Sequence, residues 1–136
     1  MNTIYFGKSI SKFGYSLNKQ TLKKFFLFDN GYLNALSFQF SDNYGKLLEN
    51  MVFIELYKRY QDNIDFLKNW SETDFIVHKK EVYQICYDLT DENYDREINW
   101  CLDAMKKFKI NKSYIITNEQ EEIIKIEKNQ IKLTKC

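Results

Sequence analysis

Apolar and polar positions along this chain follow two different periods, and the changes of period divide it into elements. Phe25-Phe26-Leu27-Phe28 is a short apolar run that stops at Asp29-Asn30-Gly31, a turn signal, so a buried strand is predicted over 25–29. Ser41-Asp42-Asn43 offers cap residues ahead of GKLLENMVFIELYKRY. There Leu47, Leu48, Met51, Val52 and Leu56 recur at helical spacing and predict a helix over 45–60. Three strand-like runs follow at 63–69, 73–78 and 81–88, the last two joined as a hairpin through Lys79-Lys80. Thr90 and Asp91 supply caps for a second helix with the stripe Ile98, Cys101, Leu102, Met105 and Phe108. SYIITN (113–118) reads as a buried strand, and EEIIKI (121–126) with QIKLT (130–134) as a closing hairpin. The order helix, three strands, helix, strand, hairpin contains a strand–helix–strand crossover and predicts an α/β fold with a mixed sheet.

Residues 1–24 are polar, weakly periodic and basic, with five Lys and no acid, and read as an N-terminal arm ahead of a domain over 25–136. At 136 residues the chain suits one domain large enough to bury a core. Its 17% aromatic content, with eleven Phe and ten Tyr, argues against disorder. The net charge of +1 hides an uneven distribution: ten acids against four bases over 61–100, then eight Lys against five acids over 101–136. Basic ends suit phosphate, and an acidic middle repels it unless a cation sits there; a solvated, uneven surface is the plainer reading. Cys86, Cys101 and Cys136 have no paired spacing, so zinc and disulfide scaffolds are unexpected and a reducing, cytoplasmic compartment is expected. No apolar run reaches membrane-spanning length, and MNTIYFGKS lacks the apolar stretch of a signal peptide. Gly7-Lys8-Ser9 imitates the tail of a phosphate-binding loop, but the required earlier glycine is Asn2.

The residues that suggest chemistry are Glu49 on the first helix, Asp74 on the second strand-like run, and Gln84 and Cys86 on the third. Gln84 and Cys86, two apart, share one strand face, and Asp74 shares it if the loop between the strands holds an odd number of residues. This arrangement resembles the PD-(D/E)xK nuclease superfamily, in which an Asp ends one strand, an acid-x-Lys tripeptide sits on the next, and the first helix adds a Glu. More narrowly, GKLLENMVFIELYKR, ETDFIV, VYQICYDLTDENYDREI and SYIITNEQEE, with the lead-in LKKFFLFDNGYLNAL, resemble the C-terminal nuclease-like domain of prokaryotic AAA-type ATPases. The resemblance covers about residues 11–134 and implies a restriction-endonuclease-like mixed central sheet flanked by helices. It also implies an ATPase or a DNA-related system as partner, and a Mg²⁺ or Mn²⁺ site built on Asp74 and Glu49.

Against that pattern, the second acidic position is Gln84 and the lysine position is Cys86. A hard divalent cation wants charged oxygens, and the lysine steadies the attacking nucleophile. An amide and a thiol do neither, and one lost electrostatic donor can cost about 3–4 kcal/mol of transition-state stabilisation. A catalytically silent binding or interaction module is therefore expected. The alternative is a metal-dependent phosphodiesterase with a relocated site, in which Glu72 supplies a second carboxylate and Arg96 or a nearby lysine the cation; Glu72 simply exposed ahead of its strand is the plainer reading. A third reading is a structural remnant with an uncovered apolar face. Arg96-Glu97 is either a buried pair orienting the second helix or an exposed pair. The lone His78 has no metal-ligand partner nearby in sequence, and Trp70, Trp100 and the tyrosines read mainly as core.

Overall fold

The computed structural model describes residues 7–12, 23–29, 31, 44–68 and 72–135. Its strands are β1 (Gly7–Lys12), β2 (Lys23–Leu27), β3 (Ile64–Lys68), β4 (Glu72–Val77), β5 (Glu81–Ile85), β6 (Lys112–Thr117), β7 (Glu122–Ile126) and β8 (Asn129–Lys135). Two helices accompany them: α1 (Tyr44–Tyr60) and α2 (Tyr94–Phe108). The described strands form one sheet in the order β2-β1-β3-β4-β5-β6-β8-β7. Its centre is an antiparallel meander, β3-β4-β5, and the crossover through α2 makes β6 parallel to β5. The sheet is mixed, it is flanked by helices, and the fold class is α/β.

The expected arm is the main departure. Residues 7–12 form β1, which pairs antiparallel with β2 and parallel with β3, and β2 starts at Lys23 rather than Phe25. Ile10 explains the placement, since it is buried in the core cluster under α1. The second helix also starts later than Thr90: residues 91–93 form a turn, and Asn93 reaches back to accept the Thr90 N–H at 2.8 Å. The expected caps Ser41-Asp42-Asn43, together with Trp70 and Cys136, lie outside the described residues.

Period-two alternation splits the core between the two faces of the sheet. On one face Leu48, Val52, Phe53 and Leu56 of α1 pack on Ile64, Phe66, Phe75 and Val77. On the other, Ile98, Cys101, Ala104 and Met105 of α2 pack on Val82, Ile115, Ile131 and Leu133. The buried stripe of α1 is rotated from the expected one, so that Met51 is exposed and Asn50 is buried. Asn50 earns its burial by bonding both ways with Leu27: its Oδ1 accepts the Leu27 N–H and its Nδ2 donates to the Leu27 carbonyl, each at 2.9 Å. That double bond fixes α1 against the edge strand β2. Phe53 then stacks on Phe26 of β2 with ring centroids 4.5 Å apart, and both rings meet Phe75 of β4 at 6.2 and 5.3 Å.

Phe53 is fully buried, so Phe53→Ala should cost about 3–5 kcal/mol by lost burial plus cavity. Urea unfolding followed by circular dichroism measures it. A loss under about 1 kcal/mol would mean that the ring does not hold the two layers together.

Candidate functional site

The aromatic stack sets the spacing of the charged groups beside it. Lys24 is two residues before Phe26 and shares its strand face, and Glu49 is one helical turn before Phe53. Asp74 directly precedes Phe75, and a β-bulge aims it. Between the pairs Asp65↔Ile76 and Leu67↔Thr73, Asp74 and Phe75 together oppose the single residue Phe66. The result is a compact group in which the Lys24 ammonium donates to Glu49 Oε1 at 3.0 Å and to Asp74 Oδ1 at 3.3 Å. The same ammonium lies 5.3 Å from the centre of the Phe66 ring. A cleft of about 290 Å³ opens beside it, with Lys24, Lys46 and Glu49 in its lining.

Asp74 also closes a gap in the sheet. The last β4–β5 pair is Phe75↔Tyr83. The Cys86 amide donates to Ile116 of β6, so that of Ile85 points the other way, toward β4, and it donates to Asp74 Oδ2 at 2.8 Å. Both carboxylate oxygens of Asp74 are therefore engaged. Gln84 is opposite Asp74 but serves its backbone: Gln84 Oε1 accepts the Asp74 N–H at 3.3 Å, and Nε2 donates to Glu97 Oε2 at 2.9 Å. Glu97, buried on α2, also accepts from Arg96 Nη2 at 3.0 Å, and Arg96 lies over the Trp100 ring with its side chain largely exposed. The Arg96–Glu97 pair is thus half buried, and it orients Gln84.

Cys86 belongs to a different neighbourhood. Its Sγ donates to the Asp88 carbonyl at 3.3 Å, receives Asn93 Nδ2 at 3.6 Å, and packs with the α2 cluster. Burial, then Glu97, pushes its thiol up to about 11, and burial pushes Cys101 up to about 12, so neither is a thiolate near neutral pH. Glu72 sits exposed at the start of β4, paired across the sheet with Lys68, and is not brought into the Lys24 group. His78 is exposed in the β4–β5 turn, edge-on to Tyr60.

The thiol at position 86 leaves the ammonium of the nuclease pattern without a source on β5, and Arg96, the named substitute, is engaged with Glu97 instead. The structure brings one from β2. Lys24 falls before the strand predicted over 25–29, whereas β2 begins two residues earlier, at Lys23. Alternation alone, extended back from Phe26, would have put Lys24 on the same face.

Burial opposes the charge on Lys24, but the Asp74 and Glu49 carboxylates outweigh it and hold its pKa above the ordinary lysine value. Asp74 is pushed up to about 6, first by burial and then by Glu49, against the lowering effects of Lys24 and the Ile85 N–H. As a divalent-cation site the group is poorly matched. It offers two carboxylates with an ammonium already between them, and Gln84 is committed elsewhere. Among the described residues no three His, Cys, Asp or Glu side chains are grouped to hold a metal ion. The donor set does not fit a resident Mg²⁺.

No family model matches the chain, and no solved structure matches it. A curated protein of Methanocaldococcus jannaschii, named Uncharacterized protein MJ1544, is 34% identical over 125 residues. That alignment covers 86% of this chain and 28% of the relative, so the chain spans under a third of the relative's length.

The raised carboxyl of Asp74 gives a pH signature. The folded chain holds this proton more tightly than the unfolded chain, whose value is 3.8. Its contribution to stability is full below that value and is lost as pH rises toward 6. The unfolding free energy of wild type minus that of Asp74→Asn should fall between pH 4 and 6 and level off above. A difference that grows with pH across this window contradicts the burial of Asp74.

Proposed function

We propose that this chain is a catalytically silent, restriction-endonuclease-like domain that works as a binding or interaction module, linked to an ATPase or a DNA-related system. The observation that carries the reading is the Lys24 ammonium lying between Glu49 and Asp74, at 3.0 and 3.3 Å. Phosphodiester hydrolysis by this kind of site needs a cation held by oxygen ligands and free to meet substrate. An ammonium in that place neutralises the acids from within and removes much of the pull on Mg²⁺. Support also comes from the element order, α1-β3-β4-β5-α2-β6, which is the order the nuclease resemblance implies. The module's partners follow from that resemblance alone. Among the described residues no helix is long and apolar enough to cross a membrane. We propose a cytoplasmic location, supported by Cys86 and Cys101, which are buried and unpaired.

A second reading, a metal-dependent phosphodiesterase with a relocated site, is favoured by the same lysine. Lys24 returns an ammonium to two carboxylates from a different strand, and such a site would need it to swing clear before a metal could enter.

One pair of measurements separates the two. The silent-module reading expects no Mg²⁺- or Mn²⁺-dependent cleavage of duplex DNA by the wild type. It also expects Lys24→Gln to bind Mn²⁺ at least about tenfold more tightly by titration calorimetry, because a competing positive charge has gone. Wild-type cleavage that disappears in both Asp74→Ala and Lys24→Gln would establish the second reading instead.

A further inference from the structure

Acids crowd one end of this domain, and a group of lysines lies at the other, where Asp62, Asp65 and Glu81 are also found. Helix α2 runs from the end of β5 to the start of β6, so its last turn returns to the end of the sheet that holds the β4–β5 turn. The carboxylate group and the acids Asp88, Asp91, Glu92 and Asp95 lie at the other end, with the start of α2. At the α2 C-terminus a cleft of about 420 Å³ is lined by Lys79 and Lys80 of the turn, Lys109 and Lys112 after the helix, and Phe108, Ile110 and Asn111. Its lining holds four lysines and no acidic residue. We propose that this cleft docks the phosphodiester backbone of a nucleic acid without reading its sequence.

Lysines in the last turn of a helix have a duller purpose, since they suit the negative end of the helix dipole. That accounts for Lys106 and Lys107, and in part for Lys109. It does not account for Lys79 and Lys80, which belong to a hairpin turn, or for Lys112, which opens a strand. All five left-handed non-glycine residues described, Gln61, His78, Lys79, Lys109 and Glu127, lie at this end, and three of them are basic. Each is a position where glycine or asparagine is the less strained choice. Asp65 acts on Lys79 electrostatically, so that lysine is partly offset.

The exposed apolar side chains decide against a lipid surface. Among the described residues Phe25, Tyr44, Met51, Ile123 and Ile126 are the large exposed ones, and none of them lines the cleft. A membrane-docking face would carry such groups beside its lysines. Backbone docking needs only charge and spacing, which two separate segments supply here. The proposal does not rest on the silent-site reading, because the two sites occupy opposite ends of the sheet.

The test is fluorescence anisotropy of a labelled 20-base-pair duplex with the whole chain, from 50 to 200 mM NaCl. Four neutralised phosphates give a log–log slope of about −3.6, a loss of roughly 150-fold over that range. Lys109→Gln should flatten the slope by about 0.9. Lys109→Gly should weaken binding equally while raising the Tm, because glycine relieves the left-handed backbone, so the weakening cannot be misfolding. Lys68→Gln, the same charge change at the acidic end, should leave both slope and affinity unaltered. No binding at 50 mM, or binding indifferent to replacing all four lysines by Gln, overturns the proposal. So does attachment to phosphatidylserine vesicles without duplex binding, or self-association through the lysines in place of duplex binding.

Discussion

The contact among Phe26 of β2, Phe53 of α1 and Phe75 of β4 is the constraint on which the rest of this structure depends. Three elements far apart in the chain meet through three rings, and burying them supplies the free energy that closes the edge of the sheet against the helix. Everything polar at that corner follows from the register of those rings. Lys24, Glu49 and Asp74 hold fixed sequence offsets from them, so packing the rings brings one ammonium and two carboxylates together. Asn50 adds directional bonds to the apolar contact and keeps β2 from sliding along α1.

The charged group then has to survive partial burial. Bringing two carboxylates into one buried corner raises the pKa of Asp74, and a third charged group of opposite sign relieves the repulsion. A divalent cation could serve that purpose, and here a lysine does. The Ile85 N–H, left without a backbone partner where β4 and β5 separate, takes the second oxygen of Asp74, so this carboxylate is structural as well as electrostatic. Gln84 and Glu97 form a second layer that holds the backbone of Asp74 through a neutral amide. Together these contacts describe a corner that satisfies its own charges.

Strong periodicity made most of the fold legible. The 3.6-residue stripe of Ile98, Cys101 and Met105 and the two-residue alternation of β4 through β8 marked α2 and the central sheet within a few residues. The order of elements implied the α/β class that the structure has. Three features were not readable. Strand β1 has a polar sequence and is anchored by Ile10, whose burial depends on residues of other elements, from Phe26 of β2 to Phe75 and Val77 of β4. The bulge at Asp74–Phe75 has no local signature, since it arises where β3 and β4 fall out of step. Alternation gives the strand face of Lys24, but its pairing with Glu49 and Asp74 is a tertiary fact, set by how β2, α1 and β4 pack. Of the residues nominated, Glu49 and Asp74 are joined through Lys24, Gln84 supports them from the backbone side, and Cys86 and Glu72 stand apart.

An internal ammonium, Lys24, bonds both Glu49 and Asp74 and balances their charge. A crystal structure grown in 10 mM MnCl₂, with data collected at the manganese edge, tests whether it keeps that place. No anomalous peak is expected within coordination distance of either carboxylate, and density for Lys24 Nζ should show it bonded to both. A manganese peak bridging Glu49 and Asp74, with the Lys24 side chain turned out into the cleft, would contradict it.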